Sequence, residues 1–300
     1  THKFFGSEKQ DAGERGIHIG KKLLKEVQEN ENIELMSDAT VVSFYEDNAV
    51  GIVRNDKFTK CRPYKVIMAT GASEKFLVFP GNDLPGVYGA GAVQTLINVA
   101  GIKPANRVLM IGSGNIGLIV SYQLKQAGVE VAAIIEAGPK VGGYLVHASK
   151  VRRAGIPILT GHTILEAYGE DQVEGARICQ LDDNWQPVSG TSKNIECDAV
   201  CLAVGLSPLT ELCWQAECDM MFVKELSGHV PVVDENLETS RKGIYAAGDV
   251  TGIEEASSAM VEGRLVGYVA AESLGYGEDE VQELKEYAVE ELKELRAGPM

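Results

Sequence analysis

Between residues 16 and 29 the stretch GIHIGKKLLKEVQE sets Ile17, Leu23, Leu24 and Val27 at helical spacing, which gives a helix one apolar face. Short β-rich runs follow at 40–45 (TVVSFY), 49–54 (AVGIVR) and 64–69 (YKVIMA), and they read as a small antiparallel insert returning to a buried strand. From about residue 107 the pattern changes to alternation. Strand RVLMI leads into helix NIGLIVSYQLKQA, closed by Gly128; strand VEVAAII, a helix around 144–154, strand IPILT, strands near 173–181 and strand DAVCLAV at 198–204 follow. Strands alternating with short helices predict βαβ units and a parallel sheet. After a polar, less regular stretch at 206–228 come strands HVPVV and GIYAA, then a helix over 256–273. The tail from 277 has the pattern of a charged amphipathic helix packed through Val281, Leu284, Tyr287, Ala288 and Leu292, with its charge run on a solvated face. No repeat and no clean linker divides the chain, so its domains are expected to be discontinuous.

Composition narrows this picture. At 300 residues the chain has room for about two domains with full cores. Lys plus Arg total 28 against 43 Asp plus Glu, and the net charge of -15 argues against nucleic acid and anionic membrane surfaces as partners. No apolar run approaches the roughly 18 residues of a membrane span, and the opening THKFF has no signal-peptide core, so a cytoplasmic location and a chain truncated at its start are expected. Six cysteines (Cys61, Cys179, Cys197, Cys201, Cys213, Cys218) fit a reducing compartment and show no metal-ligand spacing; no metal is expected. Glycine is the outlier. The 33 glycines exceed the roughly 7 percent typical of proteins, without low-complexity sequence to account for them, so they should serve backbone geometry.

The strongest local signal is Gly112-Ser113-Gly114-Asn115-Ile116-Gly117, a G-x-G-x-x-G run that follows an apolar strand and opens a helix. Gly112 permits the tight turn, Gly114 leaves space for a pyrophosphate, Gly117 lets helix and strand approach, and the helix start offers N–H groups to phosphate. The next strand ends in Glu136, where a carboxylate can accept hydrogen bonds from a ribose diol. A 2′-phosphate would meet that negative charge, so NAD is expected over NADP. A second run, Gly86 to Gly91, follows a Pro-Gly turn and has Gln94 in its third glycine position; it reads as loop and helix start. Ala69-Thr70-Gly71 after one strand and Ala246-Ala247-Gly248-Asp249 after another place small residues where a ligand can approach the backbone, and Asp249 adds an acceptor for a polyol. His147 and His162 fall near a helix and a strand end in the nucleotide region, and no residue is marked as catalytic, because hydride exchange between two cofactors needs no protein acid or base.

Taken in order, the ATG segment at 69–71, the GSGNIG run at 112–117, the Ala203-Val204-Gly205 turn with Pro208, and YAAGD at 245–249 resemble the thioredoxin-reductase-like pyridine nucleotide oxidoreductases, flavoproteins with two dinucleotide-binding domains. Within them, THKFFGS, ATGASEKFLVFPGNDLPGVYGAGAVQTL and VGGYLVHASKVRRAGIPIL look most like the FAD/NAD (alpha) subunit of bacterial amine and amino-acid dehydrogenase complexes, the sarcosine oxidase, opine oxidase and dye-linked proline dehydrogenase type. The resemblance implies an α/β fold of two Rossmann-like three-layer domains. An NAD domain at 105–222 would be inserted in a discontinuous FAD-type domain, 1–104 with 223–300, that lacks its first βαβ unit. It implies that Asp249 holds the FAD ribityl chain, and that the helix from Ala256 to Ser258 onward aims its positive end at the flavin pyrimidine edge. Thr1 and His2 match a segment near the isoalloxazine. The family opens with its own FAD fingerprint, which has no counterpart here, and its redox C-x-x-C is replaced by Gly89-Ala90-Gly91-Ala92-Val93-Gln94, which argues against a disulfide substrate.

The expected function is hydride exchange between NAD(H) and FAD, with electrons passing to or from a partner dehydrogenase subunit in an oligomer. Two alternatives stay open: an NAD-binding assembly subunit without activity of its own, and a stand-alone NADH-dependent reductase of a small electron carrier.

Overall fold

The computed structural model describes residues 11–277 and 279–297. Their contacts divide the chain into two compact units, in which Glu74–Gly205 forms one continuous body and the flanking residues form the other.

The flanking unit begins with α1 (Gly16–Glu29), a three-stranded antiparallel sheet of β1 (Ala39–Phe44), β2 (Val50–Arg54) and β3 (Lys57–Cys61), then β4 (Val66–Met68) and β5 (Ala72–Glu74). The antiparallel insert is as expected, with one strand more. β3 (KFTKC) escapes the pattern because all five of its residues are exposed, so no inward apolar position marks it. On α1 the buried residue is Ile19, whereas Leu23 and Leu24 are exposed.

The continuous unit runs through β6 (Val87–Gly89), α2 (Ala90–Asn98), β7 (Arg107–Ile111), α3 (Asn115–Gln126), β8 (Glu130–Glu136), α4 (Leu145–Arg153), β9 (Ile158–Thr160), β10 (His162–Tyr168), β11 (Gly175–Gln180), β12 (Lys193–Glu196) and β13 (Ala199–Leu202). Five of these strands make a parallel sheet in the order β6-β13-β7-β8-β9, and β10, β11 and β12 make an antiparallel sheet. A strand buried on both faces sends alternate residues to opposite cores. Val108, Met110, Ile134 and Cys201 accordingly join Val93, Leu118, Leu124 and Val151 in one cluster with the helices. Leu109, Ile111, Ile135, Val200 and Leu202 join Ile164, Ala167, Ala176 and Ile178 in the other. The unit is three-layered, with an antiparallel sheet rather than helices covering the second face. The Gly86–Gly91 run supplies β6 as well as the start of α2, so its first part is an edge strand and not only loop. β6 joins the parallel sheet through β13, and the continuous unit runs from Glu74 to Gly205.

The flanking unit resumes with β14 (Leu206–Pro208), which pairs with β5, followed by α5 (Glu211–Gln215), the hairpin of β15 (Met220–Val223) and β16 (Gly228–Pro231), β17 (Ile244–Ala246), α6 (Ala256–Ser273) and α7 (Asp279–Ala297). β17 pairs in parallel with β4. Ile244 and Ala246 pack with Met68, Cys213 and Val250, while Tyr245 and Ala247 pack with Leu265, Val269, Ala288 and Leu292. Helix α7 therefore docks as expected through Ala288 and Leu292, but Leu284 and Tyr287 are exposed, and the buried face includes Glu291, held by Arg264 at 2.7 Å. No described helix is long and apolar enough to cross a membrane.

Asp198 fixes the start of two inner strands of the parallel sheet. Its carboxylate accepts the backbone N–H of Arg107 at 2.7 Å and of Asn106 at 2.9 Å, and the Asn106 amide at 2.9 Å, so β13 and β7 start in register. Burial works against its ionisation, but the bonds from Arg107 and Asn106 outweigh it and hold the carboxyl below its ordinary range. A depressed carboxyl pKa contributes stability above the ordinary value near 3.9, and that contribution is lost as pH falls through the folded-state value. Asp198→Ala should cost about 1–3 kcal/mol at neutral pH by denaturant unfolding, with a smaller penalty in acid.

Candidate functional site

In the continuous unit, the turn after β7 brings Gly112, Ser113, Gly114, Asn115, Ile116 and Gly117 to the start of α3, and Glu136 to the adjoining end of β8. The three glycines have different reasons to be there. Gly112 has φ +102°, and a Cβ on it would overlap the Ala203 carbonyl oxygen. A Cβ on Gly117 would overlap the Gly112 carbonyl oxygen, so this residue sets the approach of α3 to the strands. Gly114 is otherwise: its φ is an ordinary -64°, and a Cβ there would meet nothing within 4 Å. The protein's own packing does not require that glycine, and the open cradle beside it at a helix start fits a pyrophosphate.

Glu136 is anchored in a way its position alone does not reveal. Oε2 accepts the backbone N–H of Ser113 at 2.9 Å and its hydroxyl at 2.7 Å, and Oε1 accepts the Gly138 N–H at 2.9 Å. Ser113 Oγ accepts from Gly142 N at 3.1 Å, Gly143 N donates to Ser113 O at 2.8 Å, and Tyr144 N donates to Asn115 Oδ1 at 2.8 Å. The loop after β8 is thereby fastened to the glycine turn. Sequence reasoning found Glu136 and the glycines but missed Gly138, Gly142, Gly143 and Tyr144; the Gly-Gly pair ahead of α4 was the available signal.

The second glycine run also has an internal explanation. Glu74 accepts the Gly91 N–H at 2.6 Å and the Ala92 N–H at 3.1 Å, seating a carboxylate of the protein on the start of α2. A Cβ on Gly89 would overlap that carboxylate. Gly205 ends the turn after β13, and its carbonyl accepts the Lys75 N–H at 2.9 Å.

In the flanking unit, Ala69, Thr70 and Gly71 follow β4. Thr70 Oγ1 donates to Leu209 O at 2.5 Å, and Gly71 O accepts from Leu209 N at 2.9 Å. Gly248 and Asp249 follow β17, the strand paired with β4, so both small-residue turns lie at the same end of one parallel pair. Asp249 accepts the Glu254 N–H, but burial dominates and, with the nearby Glu254 charge, keeps its carboxyl above the usual range. Ala256 is the first residue of α6, and no side chain caps that helix start. Thr1 and His2 lie outside the described residues.

The Gly248 turn rests on a carboxylate that the motif did not disclose. Glu262 of α6, 1% exposed, accepts Gly248 N at 2.6 Å and Thr251 Oγ1 at 3.1 Å, and it pairs with Arg296 of α7 at 2.5 Å. Arg296 also reaches Glu254 at 2.7 Å. Burial pushes the Glu262 carboxyl up, against the Gly248 hydrogen bond and the Arg296 charge. An acid among Val261, Leu265 and Val266 was the only trace of this in sequence.

The remaining candidates carry no comparable geometry. All six cysteines are free; burial pushes the Cys197 thiol to about 11 and those of Cys201 and Cys213 to about 12, so these thiols stay protonated. Among the described residues no group of three His, Cys, Asp or Glu side chains could hold a metal ion. His162 is buried at the start of β10, with Nδ1 donating to Thr160 O at 2.8 Å, and His147 lies on α4 with Tyr144 6.4 Å away between ring centres.

A parallel sheet with a glycine turn and a strand-end acid, with a second unit in which β17 runs into Gly248-Asp249, defines a dinucleotide-type α/β protein. Residues 2–263 match the model of the pyridine nucleotide-disulphide oxidoreductase family, and the chain belongs to that family. It is 31% identical over 245 residues to an opine oxidase subunit of Agrobacterium tumefaciens (strain Ach5), an alignment covering 76% of this chain and 47% of that protein. The chain spans about half the length of the curated relatives it matches first. Among solved structures it resembles the thioredoxin reductase of T. acidophilum (TM-score 0.69, 24% identity, 86% of this chain and 81% of that one). It also resembles the L-proline dehydrogenase of P. horikoshii (TM-score 0.68, 22% identity, 97% and 50%). At these identities the structural likeness establishes the shared α/β fold.

Two outcomes separate packing from binding and test the buried pair. Gly117→Ala should lose several kcal/mol of unfolding free energy on the scale of overpacked interiors, whereas Gly114→Ala should stay within about 1 kcal/mol of the native chain, as denaturant melts will show. Arg296→Met should cost about 1–3 kcal/mol, less than a fully buried pair because the Arg296 side chain is 43% exposed and Glu262 keeps its bonds from Gly248 and Thr251, and adding Glu262→Gln should recover part of it, measured as a coupling energy in a double-mutant cycle.

Proposed function

We propose that this chain binds NAD(H) at the Gly112–Gly117 turn and FAD at the Ala69–Gly71 and Gly248–Asp249 turns, as an oxidoreductase component exchanging electrons with a partner subunit that acts on an amine or amino acid. The observation that carries the nucleotide half is Gly114, a glycine with room around it at the start of α3 and no packing reason to lack a side chain. When bound, the two cofactors supply the hydride exchange.

The residues of this chain provide binding and orientation. The start of α3 offers N–H groups to a pyrophosphate, and Glu136 offers a fixed negative charge to a ribose while opposing a 2′-phosphate. Asp249 is an acceptor for the ribityl hydroxyls, and the uncapped start of α6 directs partial positive charge toward a flavin. Ala69 and Gly71 keep the facing turn free of bulk. In this reading Glu262 and Arg296 act on Asp249 indirectly, through the Gly248 turn they hold.

The partner and its substrate class rest on the likeness to a protein named as a subunit of opine oxidase. They also fit the thiols of Cys197, Cys201 and Cys213, which are buried and protonated where a disulfide reductase needs a reactive pair.

Calorimetric titration with NAD, NADP and FAD tests the assignment. The chain should bind NAD more tightly than NADP, and Glu136→Arg should reverse that preference by roughly 10- to 100-fold, because repulsion of the 2′-phosphate by a carboxylate is exchanged for a charge-assisted hydrogen bond from a guanidinium. An unchanged preference refutes the ribose role of Glu136, and absence of any NAD binding refutes the nucleotide assignment. Asp249→Ala should weaken FAD uptake while leaving NAD affinity as it was.

A further inference from the structure

A carboxylate has about four acceptor positions, two on each oxygen. On Glu136 three of them are already taken by protein donors. The Ser113 N–H and hydroxyl occupy both positions of Oε2, at 2.9 and 2.7 Å, and the Gly138 N–H occupies one position of Oε1, at 2.9 Å. The Ser113 hydroxyl cannot substitute as a donor to a ligand, because its proton is given to Glu136, and it also accepts from Gly142 N at 3.1 Å. Ser113 is 0% exposed, so its N–H and hydroxyl have no water to turn to in place of Glu136.

We infer that Glu136 accepts from one hydroxyl of the adenosine ribose, through Oε1, and that Ser113 is the positioning residue that reserves the other oxygen for the protein. The inference rests on the NAD reading above and sharpens it. A freely rotating glutamate at a strand end can span both hydroxyls of a ribose diol. Here the carboxylate is instead shared between the ligand and the loop that closes over the glycine turn, with Gly142, Gly143 and Tyr144 following Ser113 and Asn115. The arrangement trades one ligand hydrogen bond for a carboxylate whose rotation is fixed before the ligand arrives, which lowers the ordering cost of binding.

The consequence is an asymmetry between the two hydroxyls. Removing the hydroxyl that Glu136 serves forfeits a hydrogen bond to a charged acceptor, whereas removing the other leaves the carboxylate's bonding unchanged. The experiment is calorimetry on the full chain with NAD, with NAD lacking the adenosine 2′-hydroxyl, and with NAD lacking the adenosine 3′-hydroxyl. One analogue should bind about tenfold or more weakly than NAD, and the other within about threefold. In Ser113→Ala, where Oε2 regains a position, both deletions should weaken binding to similar extents.

Equal losses from both analogues on the native chain overturn the inference while leaving the NAD reading intact. An asymmetry that persists unchanged in Ser113→Ala overturns the role given to Ser113. Failure of the native chain to bind NAD overturns the NAD reading and this inference with it. If Ser113→Ala does not fold, the two analogues on the native chain still decide between one hydroxyl and two.

Discussion

A strand that ends in a tight turn leaves backbone N–H groups with no ladder partner, and a buried one costs as much as a broken hydrogen bond. In this chain acidic side chains, some local and some distant in sequence, take up such groups at the ends of strands and helices. Glu136 accepts from Ser113 and Gly138, Asp198 from Asn106 and Arg107, Glu74 from Gly91 and Ala92, Glu262 from Gly248, and Glu238 from Gly243 at 2.6 Å. Each bond is charge-assisted, so it is stronger than a neutral one and fixes the turn in a single geometry. The acid excess that argued against nucleic acid as a partner therefore includes structural carboxylates as well as solvated ones.

These carboxylates fall into two kinds. Asp198 and Glu74 are largely satisfied by the backbone they hold, and they position β7, β13 and α2. Glu136 and Asp249 sit at strand ends beside turns of small residues, and each keeps acceptor capacity beyond its protein partners. Glu262 joins the two roles, because it supports the Gly248 backbone while Arg296 offsets its charge. A single arginine thus ties the last helix to the turn that carries Asp249. This gives the charged tail a specific structural task in place of a merely solvated face.

The pattern of the chain disclosed most of the parallel sheet, because strands buried on both faces read as apolar runs and the helices between them keep a 3.6-residue period. Where a strand has no inward face the pattern is silent, as in β3, which is exposed throughout, and the mostly exposed β12; β10 was missed although Ile164 and Ala167 give it a buried face. The glycine run at 112–117 was legible because three physical demands coincide in six residues. The run at 86–91 was harder, since Gly89 and Gly91 make way for Glu74, which lies 17 residues upstream of Gly91, and no local spacing records that contact.

The same limit explains the site residues that were missed. Motif reasoning assigns a role to Glu136 from its place at the end of β8, and the carboxylate stands there beside the glycine turn. It cannot count how many of the carboxylate's acceptor positions the protein itself consumes. That count depends on Ser113 being buried with its hydroxyl turned toward β8, on Gly138 presenting its N–H, and on Gly142 closing from the far side. A fingerprint therefore fixes the class of ligand through glycine geometry. In the nucleotide reading, the number of bonds that Glu136 can offer is set by the loop packed behind it, through Ser113, Gly138 and Gly142.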